Sequence, residues 1–319
     1  MWYKHVMSPA PRFRIRRFAF AMFVMLELHG YRTDAVADEV CRKETVLYAR
    51  RASTPLYCDI YSVSADDDAD AGPVALMPII IFIHGGGWMT GARFDIPPEM
   101  IAFSERGYLV VAIDYRKSRF EKFPACVHDV KAAVRFIRAN ARRFDGNPDR
   151  LALVGFAAGG HLAMLAGMGD QDLEGAAGDH EGVSSVPQAI VSFHGPTNLR
   201  TILVQPTPGG MGKHRPPVEL LLGGSPETRI DVAKLASPVE HVRLRSPPLL
   251  MFHGDLDDQV PVAQALEMES AYKKRELIVD LVVAKGATHR SLQTFDQKRA
   301  SAMQSFLDEH LRVRTPAAP

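Results

Sequence analysis

The sequence has few of the features that mark a metalloprotein or a nucleic-acid-binding protein. It contains three cysteines, and neither a Cys-x-x-Cys pair nor a His-Glu-x-x-His motif occurs, so a structural or catalytic zinc has no support. Its 38 basic and 37 acidic side chains leave a net charge of +1, and its aromatic residues are not interleaved with lysine and arginine. We therefore predict that the protein uses no metal or organic cofactor and binds no nucleic acid.

The chain also lacks a long apolar run of the kind that spans a membrane. Its N-terminal apolar stretch, residues 18–28, is short and interrupted by Glu27, whereas a spanning helix needs roughly 20 residues. Arginines precede this stretch and the small residues Ala35-Val36-Ala37 follow it, which is the layout of a secretory signal peptide. We therefore predict a signal peptide over residues 1–37, cleavage after Ala37, and a secreted or periplasmic protein without a stable membrane anchor.

The cysteines Cys41, Cys58 and Cys126 all lie beyond the predicted cleavage point. An exported chain permits a disulfide bond. Cys41 and Cys58 fall in two segments that can pair as neighbouring strands, which makes a bond between them a hypothesis, and Cys126 falls in a predicted helix. The sequence leaves this hypothesis open.

Apolar runs alternate with amphipathic segments from residue 77 to the last predicted helix, residues 296–310. The runs "MPIIIFIHGG" and "GYLVVAIDY" are continuous, as in strands buried on both faces of a parallel sheet. The segment "PACVHDVKAAVRFIRANARRF" has apolar side chains at helical intervals, and "DIPPEMIAFSERG" is also predicted to be helical. This alternation predicts an α/β fold, a doubly wound and mostly parallel sheet with helices on both faces.

The predicted domain organisation is one α/β domain over residues 38–319. Two short strands, "TVLYAR" and "LYCDIYSV", precede its main sheet. Residues 196–247 contain no clear strand, and a long excursion of this kind inside a compact domain is usually a lid or an irregular insert. We predict that this region forms a cap beside the active site.

A glycine-rich loop and a strand-to-helix turn each carry a catalytic pattern. His84-Gly85-Gly86-Gly87-Trp88 follows a predicted strand, and successive glycines let backbone N–H groups approach a ligand oxygen, as an oxyanion hole requires. The segment 155–159, "GFAAG", matches the G-x-S-x-G nucleophile elbow except that Ala157 takes the place of the serine. Ala158 would supply a further oxyanion N–H at the start of the following helix.

Two loops after later strands carry a carboxylate and a histidine. The loop 253–261, "HGDLDDQVP", holds Asp255, Asp257 and Asp258, any of which could orient a histidine ring. His289 lies on the loop before the final helix. The order of elbow, acid and histidine along the chain favours a catalytic role for His289 over a solvated loop side chain.

Six motifs together resemble, in their order, the hormone-sensitive-lipase and acetyl-xylan/feruloyl esterase-like branch of the α/β-hydrolases. They are "HGGGW", "VVAIDYR", "FPACVHDVKAAVRFIRANA", "NPDRLALVGFAAGGHLA", "PPLLMFHGDLDDQVP" and "GATH". The resemblance covers residues 55–312 and implies an α/β-hydrolase fold and a serine carboxylesterase. It also implies a small-molecule or carbohydrate ester as substrate, with a short acyl group such as acetyl or feruloyl.

The resemblance assigns roles to individual residues. It implies that Asp257 is the acid, that His289 is the base, and that Gly86 and Gly87 join Ala158 in the oxyanion hole. Candidate substrate contacts are Trp88 and His194, although packing is the favoured role for His161 and His194. The segment Asp114-Tyr115-Arg116 matches a family motif that we interpret as structural.

Ala157 is the departure from the family pattern. A methyl group cannot form an acyl-enzyme and leaves His289 without a hydroxyl to deprotonate, so we expect the chain to be nearly inactive. One hypothesis is an exported esterase whose serine was replaced on purpose. Another is a natural, non-catalytic binding protein that holds an ester, a sugar or a partner in the pocket. A third is an amidase, such as a formamidase, of the same fold.

Overall fold

Eight strands form one sheet in the computed structural model, which describes residues 41–52, 54–63, 75–168, 173–175, 180–211, 215–291 and 296–312. The strands are β1 (Cys41–Arg51), β2 (Thr54–Val63), β3 (Met77–Ile83), β4 (Leu109–Ile113), β5 (Gly146–Phe156), β6 (Ala189–Phe193), β7 (Leu249–Gly254) and β8 (Val279–Ala284). Their order across the sheet is β1-β2-β4-β3-β5-β6-β7-β8. The predicted signal peptide and its cleavage point lie outside the described residues, so export stays a prediction.

The sheet is antiparallel at one edge and parallel over the rest. Strand β2 pairs antiparallel with both β1 and β4, whereas β4, β3, β5, β6, β7 and β8 run parallel to one another. A helix that follows a strand returns the chain to the end of the sheet where that strand began. The next strand therefore runs parallel to it. The predicted α/β fold with a mostly parallel sheet is therefore confirmed.

Helices cover both faces of this sheet. They are α1 (Pro98–Ile101), α2 (Ala125–Asn140), α3 (Ala158–Gly167), α4 (Arg215–Leu222), α5 (Ile230–Leu235), α6 (Ala263–Lys273) and α7 (Gln297–Leu311). Alternate residues of β3 face opposite cores: Ile81 packs with α2 and α3, and Phe82 packs with α7. Among the helices of the described ranges, none is both long and apolar enough to cross a bilayer.

The helix predicted over residues 95–107 is much shorter in the structure. Helix α1 has four residues, and a separate 3-10 turn covers Ser104–Arg106. Pro97 and Pro98 disfavour helical backbone in the residue before each of them, and Gly107, with φ of 78°, ends the segment. Between Pro97 and Gly107, α1 takes four residues and the 3-10 turn takes three.

The predicted insert, residues 196–247, lies between β6 and β7. Its described part contains α4, α5 and a 3-10 turn at Pro238–His241, and no strand occurs in that part. The absence of a strand agrees with the sequence pattern. Whether this region acts as a lid stays a prediction.

The hypothesis of a bond between Cys41 and Cys58 is wrong for this structure. The strands β1 and β2 do pair, but Cys41 lies opposite Val63 and Cys58 lies opposite Val46. The two cysteines are thus several residues apart along the ladder, at about 3.4 Å per residue, which is too far for a disulfide bond. Both are free, as is Cys126.

A buried carboxylate holds the segment that follows β4. Asp129 of α2 is fully buried and accepts three hydrogen bonds from Arg116, from its backbone N, Nε and Nη2, at 2.8–2.9 Å. Arg51 of β1 adds a longer contact of 3.4 Å. These bonds fasten the segment after β4 to helix α2, and the hydroxyl of Tyr115 in that segment contacts the glycine-rich loop.

We predict that Asp129→Asn lowers the free energy of unfolding by about 3 kcal/mol, because it leaves the part-buried Arg116 without its charged partner. Glu44→Gln is the matched control: it removes the exposed partner of Arg143, and we expect a change below about 1 kcal/mol. Urea unfolding monitored by circular dichroism measures both values. Equal effects of the two substitutions would contradict this account of Asp129.

Candidate active site

The carboxyl ends of the parallel strands bring the predicted catalytic segments to one edge of the sheet. Strands β3 and β5 are neighbours in register, with Ile83 opposite Gly155. The loop 84–88 therefore begins beside the turn at residue 157. The loops after β7 and β8, which are also neighbours, carry the predicted acid and histidine. Open α/β sheets bind their ligands at this edge.

The turn between β5 and α3 has the backbone of a nucleophile elbow. Ala157 has φ of 50° and ψ of −115°, a conformation that costs a residue with a side chain about 1–3 kcal/mol. A Cβ on Gly155 would lie 2.1 Å from the oxygen of Gly159, and a Cβ on Gly159 would lie 2.0 Å from the oxygen of Ile83. Both glycines are therefore required for the sharp turn, which places the buried side chain of residue 157 at the edge of a cavity.

The glycine-rich loop lies against this elbow. A Cβ built on Gly85 would be 3.6 Å from the Cβ of Ala157. Gly86 and Gly87 have φ of 103° and 59°, and the oxygen of Gly86 accepts from the backbone N of Thr90 at 3.1 Å. Within the described part of the chain, the N–H groups of Gly86 and Gly87 meet no acceptor. They remain available to an oxygen of a ligand.

Asp257 and His289 form a buried hydrogen-bonded pair. Nδ1 of His289 lies 2.7 Å from Oδ2 of Asp257, and Oδ1 of Asp257 accepts from the backbone N of Gln259 and of Val260 at 2.9 and 2.8 Å. Burial by itself raises the pKa of Asp257, but these hydrogen bonds and the nearby imidazoles hold that pKa below its usual value. Asp257 is thus ionised at neutral pH and fixes the His289 ring with Nδ1 protonated.

The structure shows which aspartate of the loop 253–261 contacts His289 and what Asp255 contacts instead. Oδ1 of Asp255 accepts from the backbone N of Gly286 at 2.6 Å, so Asp255 holds the two loops together. A Cβ on Gly254 would lie 2.1 Å from the oxygen of Ala287, which explains how the loops come so close. Asp257 is the carboxylate that reaches His289.

Sequence reasoning missed His253, a buried neighbour of this pair. Its Nε2 lies 3.0 Å from the oxygen of Val260 and 3.5 Å from Oδ2 of Asp257. Burial lowers the pKa of His253, which keeps the ring neutral and able to donate from Nε2. Its position directly before Gly254 in the "HGD" motif is the signal that points to it.

His194 is buried beside the pair. Its ring lies 4.2 Å from that of His289, and neither ring nitrogen has a hydrogen-bond partner among the described residues. Burial, and then the neighbouring imidazoles, lower the pKa of His194 well below its usual value, so the ring is neutral. With 1% of its surface exposed, it is not placed as a substrate contact in this structure.

The trio His194, Asp257 and His289 also brings three ligand atoms within 4.8 Å of one another. Both oxygens of Asp257 already accept hydrogen bonds, and Oδ2 accepts from Nδ1 of His289. An ion bound by Asp257 and His289 would have to displace that proton. The contacts therefore describe a hydrogen-bonded pair with a third imidazole packed against it.

Trp88 has a buried packing position in this structure, and its predicted contact with substrate stays a prediction. The Trp88 side chain is fully buried, and its Nε1 donates to Nδ1 of His161 at 3.1 Å. Nε2 of His161 then donates to the oxygen of Ala236 at 2.7 Å. Trp88 and His161 thus connect the glycine-rich loop, α3 and the insert, and they do so because an indole N–H must find an acceptor when it is buried.

A cavity of about 300 Å³ lies beside Ala157. Its lining combines the glycine-rich loop with aromatic and polar side chains; the lining residues are Phe82, Gly85, Gly86, Thr90, Gly91, Asp95, Pro97, Phe156 and Ala157. This is near the small end of the range for ligand pockets. The arrangement can hold a small group with one oxygen near the N–H groups of the loop.

We predict that ionised Asp257 stabilises the fold in a pH-dependent way. Its folded pKa lies below the ordinary value of 3.8, so this stabilisation is complete above about pH 5 and is lost as the pH falls through the folded pKa. The difference in free energy of unfolding between the chain and Asp257→Asn should decrease from about pH 7 to about pH 3. Urea unfolding across this range, with Asp258→Asn as control, tests it; a difference independent of pH would contradict it.

The comparisons with known proteins agree with this geometry. The profile of the BD-FAE family matches residues 66–272. The chain is 35% identical over 190 residues to the probable carboxylic ester hydrolase LipM of Mycobacterium tuberculosis, a match that covers 59% of this chain and 43% of LipM. The chain thus spans less than half the length of this curated relative.

Two solved structures have a similar fold. A truncated carbohydrate esterase from gut microbiota has a TM-score of 0.72 and 25% identity, covering 87% of this chain and 99% of that one. The propionate-bound form of the thermophilic esterase Est2 of Thermogutta terrifontis has a TM-score of 0.68 and 28% identity, covering 85% of this chain and 96% of that one. The α/β-hydrolase fold and the resemblance predicted from the six motifs are confirmed, and the chain belongs to the BD-FAE family.

Proposed function

We propose that this site is that of a carboxylic ester hydrolase for short-acyl esters, which acts through a Ser-His-Asp mechanism when residue 157 carries a hydroxyl. With Ala157, the chain would bind esters and hydrolyse them very slowly. The single observation that carries the proposal is the 2.7 Å bond between Asp257 and His289 beside an elbow and a glycine-rich loop. An ester hydrolase needs these parts together, since they supply the base, its orientation and the oxyanion donors.

The proposed reaction has two steps in a form with a serine at residue 157. His289 takes the hydroxyl proton as the oxygen attacks the ester carbonyl, while Asp257 orients the ring and stabilises the imidazolium. The N–H groups of Gly86, Gly87 and Ala158 receive the negative oxygen of the tetrahedral intermediate. The intermediate then collapses: its C–O bond to the alcohol breaks, and the His289 imidazolium gives its proton to the leaving alcohol. In the second step, water loses a proton to His289 and attacks the acyl-enzyme, and the serine oxygen takes that proton back as the acid leaves.

Ala157 removes the nucleophile from this scheme. A methyl group can neither attack a carbonyl nor donate a proton to His289. In a well-studied protease, loss of the nucleophile costs about 10⁶-fold in turnover, and the rest of the site retains a rate of about 10³ to 10⁴ over water. We therefore expect a low residual rate from this chain.

The size of the cavity supports a short acyl group, because its volume of about 300 Å³ must hold both the ester carbonyl and the acyl chain bonded to it. The propionate in the related Est2 structure is consistent with this. The similar gut enzyme is a carbohydrate esterase, which supports a sugar ester as the substrate. The N-terminal sequence pattern supports export, and a cap over the site from residues 196–247 remains part of the proposal.

Ala157 itself favours a second candidate function. A chain that binds an ester, a sugar or a partner without turnover has no need of the hydroxyl, and the strained backbone at residue 157 keeps the pocket shape. The two candidates differ in the response of the chain to a single restored oxygen. A binding protein whose other catalytic groups are not aligned for hydrolysis would not hydrolyse esters after that change.

We predict that Ala157→Ser raises the rate of p-nitrophenyl acetate hydrolysis by at least about 10³-fold, because the hydroxyl meets an oriented base and an oxyanion hole. A spectrophotometric assay measures the rate. In this serine form, Asp257→Asn should remove most of the gain, and the matched control Asp258→Asn should retain it. No gain from Ala157→Ser would refute the proposed function and favour the binding protein.

We also predict that the serine form prefers esters with acyl chains of about two to four carbons, because the cavity beside residue 157 is small. A series of p-nitrophenyl esters from acetyl to decanoyl measures kcat/KM for each chain length. A matched pair of an ester and its anilide, in the same assay, separates an esterase from an amidase. A maximum at decanoyl, or a faster anilide, would contradict this substrate class.

A further inference from the structure

The first residue of the glycine-rich loop, His84, is held in an unusual environment. Its ring is buried and stacked on the ring of Tyr115, with 4.3 Å between centroids. Burial, and then the charge of Lys117, lower the pKa of His84 to about 3. The imidazole is therefore neutral and has one N–H donor and one acceptor nitrogen.

Lys117 decides which nitrogen carries the proton. Its Nζ lies 2.8 Å from Nε2 of His84, and an ammonium group can only donate, so Nε2 accepts. The proton is then on Nδ1, which donates to the oxygen of Gly85 at 2.7 Å. Lys117 is fixed in turn, because Nζ also donates to the oxygen of Tyr115 at 2.7 Å and lies 3.9 Å from the centre of its ring.

This series of contacts controls the direction of an oxyanion donor. The oxygen of Gly85 and the N–H of Gly86 belong to one planar trans peptide and point in opposite directions. A bond from His84 to that oxygen therefore aims the N–H of Gly86 away from the ring. The hydroxyl of Tyr115 donates to the same oxygen at 3.3 Å and to that of His84 at 3.1 Å.

We propose that Lys117 is a positioning residue of the oxyanion hole, which fixes the tautomer of His84 and through it the peptide between Gly85 and Gly86. This inference rests on the proposed function, because it assigns a catalytic purpose to the N–H of Gly86. Lys117 acts through His84 and is not among the residues that line the cavity beside Ala157. The motif that precedes it, Asp114-Tyr115-Arg116, holds the backbone, whereas Lys117 reaches the loop with its side chain.

The surroundings of Lys117 allow its side chain to be changed. It lines a cavity of about 410 Å³ together with Phe120, Glu121 and Gly91, so a methionine can occupy its place. Gly91 itself packs closely against the His84 ring, since a Cβ on Gly91 would be 2.4 Å from Nδ1 of His84. Lys117→Met removes the donor to Nε2 and leaves this packing unchanged.

The kinetic test uses the Ala157→Ser form with and without Lys117→Met. We expect kcat for p-nitrophenyl acetate to fall about ten- to a hundredfold, with KM within about twofold, because the oxyanion forms only in the transition state. Lys117→Arg, which keeps a donor, should restore part of kcat. The matched control is Lys122→Met, which removes an exposed donor to the oxygen of Ser118 and should leave kcat unchanged.

A second readout does not depend on hydrolysis. In the chain with Ala157, nitrogen-15 NMR of labelled histidines should show His84 with a protonated Nδ1 and an Nε2 that accepts a hydrogen bond. Lys117→Met should shift the Nε2 resonance or mix the two tautomers, and His84→Gln identifies the signal. Thermal unfolding of each variant checks that the fold is retained.

The outcomes separate the two proposals. An unchanged kcat for Lys117→Met in an active serine form overturns the role of Lys117, and so does a loss of kcat that Lys122→Met reproduces. If the serine form is inactive, the proposed function fails, and the NMR result alone decides whether Lys117 fixes His84. An Nε2 resonance that does not respond to Lys117→Met overturns the inference in either case.

Discussion

A contact between backbones at the carboxyl ends of β3 and β5 determines the rest of the site. Gly155 and Gly159 allow the first turn of α3 to approach Ile83 so closely that any Cβ would overlap with backbone oxygen. This contact forces the left-handed backbone at Ala157 and brings the glycine-rich loop within van der Waals range of it. The elbow is thus a consequence of strand pairing and glycine content, and it does not depend on the identity of residue 157.

Buried polar groups surround this elbow and hold its parts in place. Asp257 is ionised and saturated with hydrogen bonds, while His84 and His194 are neutral because burial opposes their charge. A neutral imidazole whose tautomer is fixed by hydrogen bonds, as in His84, can orient its partners without adding charge to the interior. The site therefore combines one buried anion with several oriented, uncharged rings.

The strands and the long helices could be predicted from the sequence, because their apolar periodicity reports burial directly. Helix α2 lies within the segment "PACVHDVKAAVRFIRANARRF" that the pattern predicts to be helical, whereas α1 is shorter because prolines and a glycine limit it. The wrong prediction of a disulfide concerns a partner, because the register of β1 and β2 separates Cys41 from Cys58. The bond from Trp88 to His161 also joins two elements, and the sequence pattern does not indicate it.

The sequence by itself determined the family pattern, the order of the catalytic segments and the absence of a hydroxyl at residue 157, because these depend on residue type and spacing. The family resemblance implied Asp257 as the acid, but only the tertiary structure decided that this carboxylate contacts His289 and that Lys117 reaches His84. Both contacts join side chains that follow different strands and lie far apart along the chain, so no local sequence pattern indicates them. The two side chains of each pair meet because of the order and pairing of the strands, and only the folded structure shows that order.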